Sequence, residues 1–401
     1  MNPNVYERLG VTEIINCVGY ATRIGGSRMS EEVLRAMRDA SEAYIEIDEL
    51  QAAAWRVIAR CTGAEAGIVT CGAAAGLTLG AAACLARADV EIMDRLPDVS
   101  GLTRCEIIYP RITRFDYEHP VRVSGARLVE VDYEAPDALA RIEAAINPRT
   151  AAIGYAWSRV EERPAVDGLA ALAHRHELPL MMDAAMALPP TENLRSFIRR
   201  GADLVTISGG KHLGGPQSSG ILCGRADLIR SAWVQMTDMH VRDGTWPLRP
   251  WVEKGWIARL PRHGIGRTMK VGKESIVGLL VALEAYEQRD HAAEVRQWRA
   301  FAEEIAAGLS RIPGLRATAL FPSPLGQPYG CVGVEMDAGN FSGDMDVFQR
   351  ALKAHRPKVM FAEDEKDAHR AFLYTMCLKP EHPKQVITAF EDVANSLRRA
   401  S

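Results

Sequence analysis

Short apolar runs alternate with longer helical patterns from about residue 64 onward, and few architectures accept such an alternation. The runs are too short to be helices and are rich in β-branched residues, as in strands covered on both faces. They fall at 67–70, 106–109, 127–131, 151–155, 178–182, 204–207 and 220–223. Helical segments lie between them, including 136–146, where Pro136 suits a first helical position, and 168–176. The pattern predicts βαβ units around a mostly parallel seven-stranded sheet flanked by helices.

After Lys273 the pattern changes to long helices at 275–288 and 291–310, strand-like runs at 332–336 and 371–376, and a last helix at 384–399. This predicts a smaller α+β domain. An amphipathic helix at 30–41 occupies the N-terminal part. The expected division is a segment at 1–50 packing with the small domain, a large domain at 51–280 and a small domain at 281–401.

Composition narrows the function. The 401 residues are 47% hydrophobic and 25% charged, as in soluble globular proteins, and the net charge of −3 leaves no basic field to drive nucleic-acid binding. A small-molecule partner is expected. The eight cysteines show no CxxC or Cys/His spacing, so no metal site is expected, and they read as buried thiols of a reducing cytoplasm. The first residues lack the charged and apolar regions of a secretion signal. Residues 66–86 carry no charge, and Gly72, Gly76 and Gly80 repeat at four-residue spacing, yet the run is mostly Ala and Gly. A buried strand, a turn and a close-packed helix explain it better than a membrane span.

The segment 230–266 holds Trp233, Trp246, Trp251 and Trp256 among Pro247, Pro250 and Pro261. It reads equally as a functional loop with aromatic anchors or as a local hydrophobic cluster.

Three signals carry chemistry. Lys211 stands among Gly209, Gly210, Gly214 and Gly215 just after a strand. Glycines are kept where backbone must approach something closely, and desolvated lysines form Schiff bases with carbonyls. Taken alone, the motif reads equally as a flexible surface turn. Asp183 ends the strand at 178–182, where ligands bind in open α/β sheets, and its plain alternative is a helix N-cap. Thr70 to Gly76 is a strand end turning into a small-residue helix whose free N–H groups suit a phosphate. A lysine, a carboxylate and an anion site together match the needs of pyridoxal 5′-phosphate.

These motifs resemble the large domain of fold-type I pyridoxal-phosphate enzymes. EIINCVG at 13–19, IDEL at 47–50, GAEAGIVTCGAAA at 63–75, DAAMALPP at 183–190 and SGGKHLGGPQ at 208–217 resemble the selenocysteine synthase superfamily. They are most similar to its shorter, D-glucosaminate-6-phosphate ammonia-lyase-like members, as is HGIGRTMKVGKESIVG at 263–278. The resemblance spans roughly residues 10–285 and shows no counterpart of the tRNA-binding N-terminal extension, which speaks against a tRNA-directed function.

The resemblance implies Lys211 as the Schiff-base lysine, Asp183 as partner of the pyridine nitrogen, and Gly72, Ala73, Ala74 and Ser208 around the phosphate. In RITRFDYEH at 111–119 the match is imperfect, so Arg114, Phe115, Tyr117 and His119 stay open as ring-stacking or as packing and surface residues. Arg267, Lys270 and Lys273 form a basic cluster fit for a substrate carboxylate or phosphate, or else a solvated helix entrance. Arg356 and Lys358 lie where relatives bind the substrate carboxylate. His212 and His263 can relay protons or be structural.

The function expected is a lyase that removes ammonia or water by α,β-elimination from a β-hydroxylated or β-substituted amino acid or amino sugar acid. Racemisation, β-substitution, aldol cleavage and transamination share its first steps. A non-catalytic ligand-binding scaffold is the alternative of another class. Analogy with fold-type I enzymes predicts a homodimer or higher homo-oligomer.

Overall fold

The computed structural model describes residues 4–111, 117–157, 164–238 and 240–399. Strand β1 (Ile14–Cys17) belongs to a sheet completed near the C-terminus. The next seven strands, β2 (Ala66–Thr70), β3 (Glu106–Pro110), β4 (Arg127–Val131), β5 (Thr150–Ala156), β6 (Leu180–Asp183), β7 (Leu204–Ser208) and β8 (Gly220–Gly224), form one sheet. Its order is β2-β8-β7-β6-β5-β3-β4, with β8 alone antiparallel to its neighbours. Every strand expected from the apolar runs is there.

The sheet is apolar on both faces because strand side chains alternate sides. Val69, Ile108, Met182, Val205 and Ile221 enter one core with the helices Ile47–Thr62 and Lys273–Gln288. Their sequence neighbours Ile68, Ile107, Met181, Leu204 and Leu222 enter a second core with the helices Ala73–Ala86 and Ala226–Val234. Continuous apolar runs, rather than alternating ones, are what a doubly covered sheet requires.

The uncharged run at 66–86 is β2, a turn and the Ala73–Ala86 helix, which is buried from Ala75 to Ala86. The glycine spacing serves packing on the sheet. A Cβ on Gly76 would lie 2.9 Å from the Thr206 methyl, and one on Gly80 would lie 3.2 Å from the Met181 sulfur. Among the described residues no helix is long and apolar enough to cross a membrane.

The chain divides into two units, Ser27–Arg289 and Met1–Gly26 with Asp290–Ser401. The boundaries differ from those expected at 1–50 and 281–401. Residues 27–50 and 281–289 go with the large unit because the Glu31–Ser41 helix packs along the Lys273–Gln288 helix, and the Ile47–Thr62 helix packs on both that helix and β2. The smaller unit is built on the order β1-β11-β12-β10-β9, with β9 (Leu315–Leu320), β10 (Cys331–Met336), β11 (Lys358–Glu363) and β12 (Arg370–Tyr374). Strand β1 pairs in parallel with β11, and the helices His291–Leu309 and Met345–Ala354 pack on this sheet.

Candidate active site

Strand register gathers the chemistry-bearing residues at one edge of the large sheet. Thr70 is level with Gly220, Gly220 is level with Ser208, and Asp183 is level with Thr206 on one side and Ala156 on the other. Residues from distant parts of the chain therefore share the carboxyl edge of the parallel strands, where open α/β sheets bind ligands.

Asp183 is the last residue of β6 and does not cap a helix. Its Oδ1 accepts from the Ala185 amide at 2.9 Å, which holds the carboxyl in a tight turn, and its backbone carbonyl accepts from Trp157 N at 2.9 Å. Lys211 lies in the turn after β7, partly buried. Burial pushes its pKa down, while the nearby Asp183 charge acts in the opposite sense. The two side chains are thus within electrostatic reach of one another.

The third component is the turn into the Ala73–Ala86 helix. Gly72 has φ +143°, a backbone open to glycine and strained for other residues, and no side chain caps the helix. Thr70 Oγ1 donates to the Gly72 carbonyl at 2.8 Å and shapes the turn. A Cβ on Gly220 would stand 2.5 Å from Gly72 C and 2.6 Å from Ala73 N, so that strand runs directly against the turn. Uncapped amides of a 14-residue helix form a cradle for an anion. With a desolvated lysine and a strand-end carboxylate on the same edge, the residues present fit pyridoxal 5′-phosphate.

A cleft of about 620 Å³ has a lining that includes Asp48, Gln51, Trp246, Arg267, Lys270 and Lys273; Gln51 ties it to Val69 of β2, while Lys211, Asp183 and Gly72 are not part of the lining. Arg267 approaches Asp238 at 3.8 Å, Lys273 pairs with Glu274 at 2.8 Å and donates to the Ala40 carbonyl, and Lys270 has no ion pair among the described residues. Asp48 accepts from Trp233 Nε1 at 2.8 Å, and burial raises its pKa. The local-cluster reading of the tryptophan segment holds. Trp233, Trp251 and Trp256 pack in a cluster with Trp55, while Trp233 and Trp246 also line the cleft.

The remaining candidate residues are placed as follows. Arg356 belongs to the smaller unit, exposed, with its guanidinium donating to the carbonyls of Ala354 and His355. Tyr117 is exposed at the start of the Glu118–Val123 helix, and His119 points to solvent beside Glu118. Arg114 and Phe115 lie outside the described residues. His212 is buried against Tyr286, and His263 is exposed, ring to ring with His240.

Gln51 was not among the expected site residues. Its amide reaches across to Val69, donating to the carbonyl at 2.8 Å and accepting from the amide at 3.0 Å, with no exposed surface. The signal was present as a polar residue in helical phase with the buried Ala54, Ile58 and Cys61.

Residues 14–239 match the family model of the L-seryl-tRNA selenium transferases, SelA. The chain belongs to the SelA family. This SelA-family chain is 34% identical over 316 residues to a D-glucosaminate-6-phosphate ammonia lyase of Salmonella typhimurium, covering 77% of this chain and 76% of that one. It is 33% identical over 321 residues to a 5′-C-glycyluridine monooxygenase-decarboxylase of a Streptomyces species, covering 78% and 72%. A solved structure of a D-glucosaminate-6-phosphate ammonia-lyase superposes with a TM-score of 0.79 at 28% identity, covering 99% of this chain and all of that one. The fold is that of the fold-type I pyridoxal-phosphate enzymes.

Proposed function

We propose that this protein is a pyridoxal 5′-phosphate-dependent lyase. It eliminates ammonia or water from a β-hydroxylated or β-substituted amino acid or amino sugar acid and yields a 2-oxo acid. The observation that carries this reading is the desolvated Lys211 within the field of Asp183, on the sheet edge that also presents the Gly72 turn.

Lys211 would anchor the cofactor through its ε-amine, Asp183 would face the pyridine nitrogen, and the Gly72, Ala73 and Ala74 amides with Ser208 would hold the phosphate. When bound, the group supplies an electron sink that acidifies the substrate Cα–H bond. Lys211 Nζ, neutral over a wider pH range because of its burial, takes that proton. The Asp183 carboxylate, fixed by Ala185 N, would keep the pyridine nitrogen protonated once the cofactor is bound. Arg267 and Lys270 line the cleft and orient an anionic tail of the substrate.

The Salmonella relative is named for a phosphorylated amino sugar acid and the Streptomyces relative for a glycyl nucleoside. An α-amino acid head with a long polar tail satisfies both names, and a cleft of about 620 Å³ accommodates one. The different reaction named for the Streptomyces relative supports a second reading, an oxygen-dependent decarboxylase. A panel of D- and L-amino acids and amino sugar acids separates the two. Ammonia with 2-oxo acid and no oxygen uptake is the expected result, and oxygen uptake with released CO2 would replace the lyase by the decarboxylase.

The working form is a homodimer or higher homo-oligomer, supported by exposed apolar residues Tyr44, Ile45 and Ile47 at the cleft. A light-scattering mass of 44.0 kDa at micromolar concentration would overturn that. Eight free cysteines, six of them buried, suit a cytoplasmic location.

A further inference from the structure

The turn that carries Lys211 has glycine at 209, 210, 214 and 215, and between them the side chains of His212 and Leu213 are buried. Its backbone is anchored as well. Ser27 N donates to the Gly210 carbonyl at 3.0 Å, Gly214 N donates to the Lys211 carbonyl at 3.0 Å, and Arg289 Nη2 donates to the His212 carbonyl at 2.6 Å. Three successive carbonyls are held, and the third bond is the one with a charged donor, the stronger kind.

Arg289 is itself held in place. It directly follows the Lys273–Gln288 helix, and its guanidinium lies over the Tyr286 ring, 4.5 Å from the centroid. The same ring meets His212 edge-on, with centroids 5.4 Å apart and planes at 90°. Arg289 and Tyr286 therefore grip the residue next to Lys211 by its carbonyl and by its ring. The helix end and the turn act as one piece.

We propose that Arg289 is a positioning residue that fixes the backbone on which the Lys211 amine is presented to the cofactor, with Tyr286 as its support. The proposal rests on the reading that Lys211 carries pyridoxal phosphate. Without Arg289 the turn keeps its sequence but loses its charged anchor, so the amine samples more positions and captures the cofactor less well.

The experiment uses the full-length protein and three variants, Arg289→Met, Arg289→Lys and Tyr286→Leu. Each is titrated with pyridoxal phosphate, followed by its visible band, and the labelling of Lys211 after borohydride is measured. Loss of a charged hydrogen bond predicts about a tenfold weaker cofactor affinity and a shifted band for Arg289→Met, with an unchanged far-UV circular dichroism spectrum. Arg289→Lys recovers part of the affinity, and Tyr286→Leu, which keeps the charge, falls between the parent and Arg289→Met. Parent-like affinity and band in Arg289→Met would overturn the proposal, and so would a variant that only melts earlier. Should Arg289→Met fail to fold, the same comparison is made with the other two, and parent-like behaviour in both would sink the idea. Absence of labelling in the parent would instead refute the cofactor reading on which the proposal stands.

Discussion

Gln51 and Val69 are joined by two hydrogen bonds, 2.8 and 3.0 Å long, in which the side-chain amide takes the place of a neighbouring strand. Strand β2 is at the edge of its sheet and pairs with β8 alone, so its outer backbone groups need other partners. Gln51→Leu leaves a buried donor and a buried acceptor unsatisfied. The expected cost is about 1–3 kcal/mol for each group, read as a lower urea midpoint. Cofactor affinity should fall as well, because the turn at Gly72 follows directly on β2.

Lys211→Ala should keep the fold and lose the chemistry. Loss of a positioned base lowers turnover by about 10²–10⁴-fold, and borohydride no longer fixes the cofactor to the protein. Circular dichroism and gel filtration should match the parent.

Asp183→Asn separates charge from shape, since the amide oxygen can still accept from Ala185 N. The Asp183 charge raises the Lys211 pKa against the effect of burial, so its removal lets that pKa fall further. Capture of added pyridoxal phosphate needs the neutral amine. In the parent its rate should rise with pH through a midpoint below the ordinary lysine range of about 10.4, and in Asp183→Asn the midpoint should move lower still. Turnover should nevertheless drop, because the facing nitrogen loses its carboxylate.

Gly220→Ala tests the cradle. The added methyl meets backbone atoms at 2.5 and 2.6 Å, which cannot move as a side chain would. We expect a loss of about 1–3 kcal/mol in stability and weaker binding of pyridoxal phosphate in a titration.

Lys270→Gln should raise KM for substrates with an anionic tail and leave kcat nearly unchanged, the pattern of lost uniform binding. Substrates without such a tail should be unaffected. Steady-state assays on paired substrates check this.

The strands, the lysine and the acid were legible in the chain because each is a local signal. Apolar runs mark strands whatever they pair with, and Lys211 among glycines and Asp183 at a strand end stand out from their immediate neighbours. Gln51 was harder to read, since its partner Val69 is brought to it only by the packing of a helix on an edge strand. Arg289 carried no local mark at all, because its role comes from a contact with the distant His212 carbonyl.

The same contrast runs through the whole molecule. Local pattern by itself determined the alternation of elements, the doubly covered sheet and the small-residue turn, since periodicity and backbone sterics act over a few residues. Tertiary structure alone decided which ends lie level. Register sets Thr70, Gly220, Ser208 and Asp183 along one edge, and hydrogen bonding between strands far apart in the chain is the physical cause. Packing likewise drew the unit boundary at Ser27 and Arg289 rather than at the change of pattern, because helix Glu31–Ser41 buries its face on Lys273–Gln288.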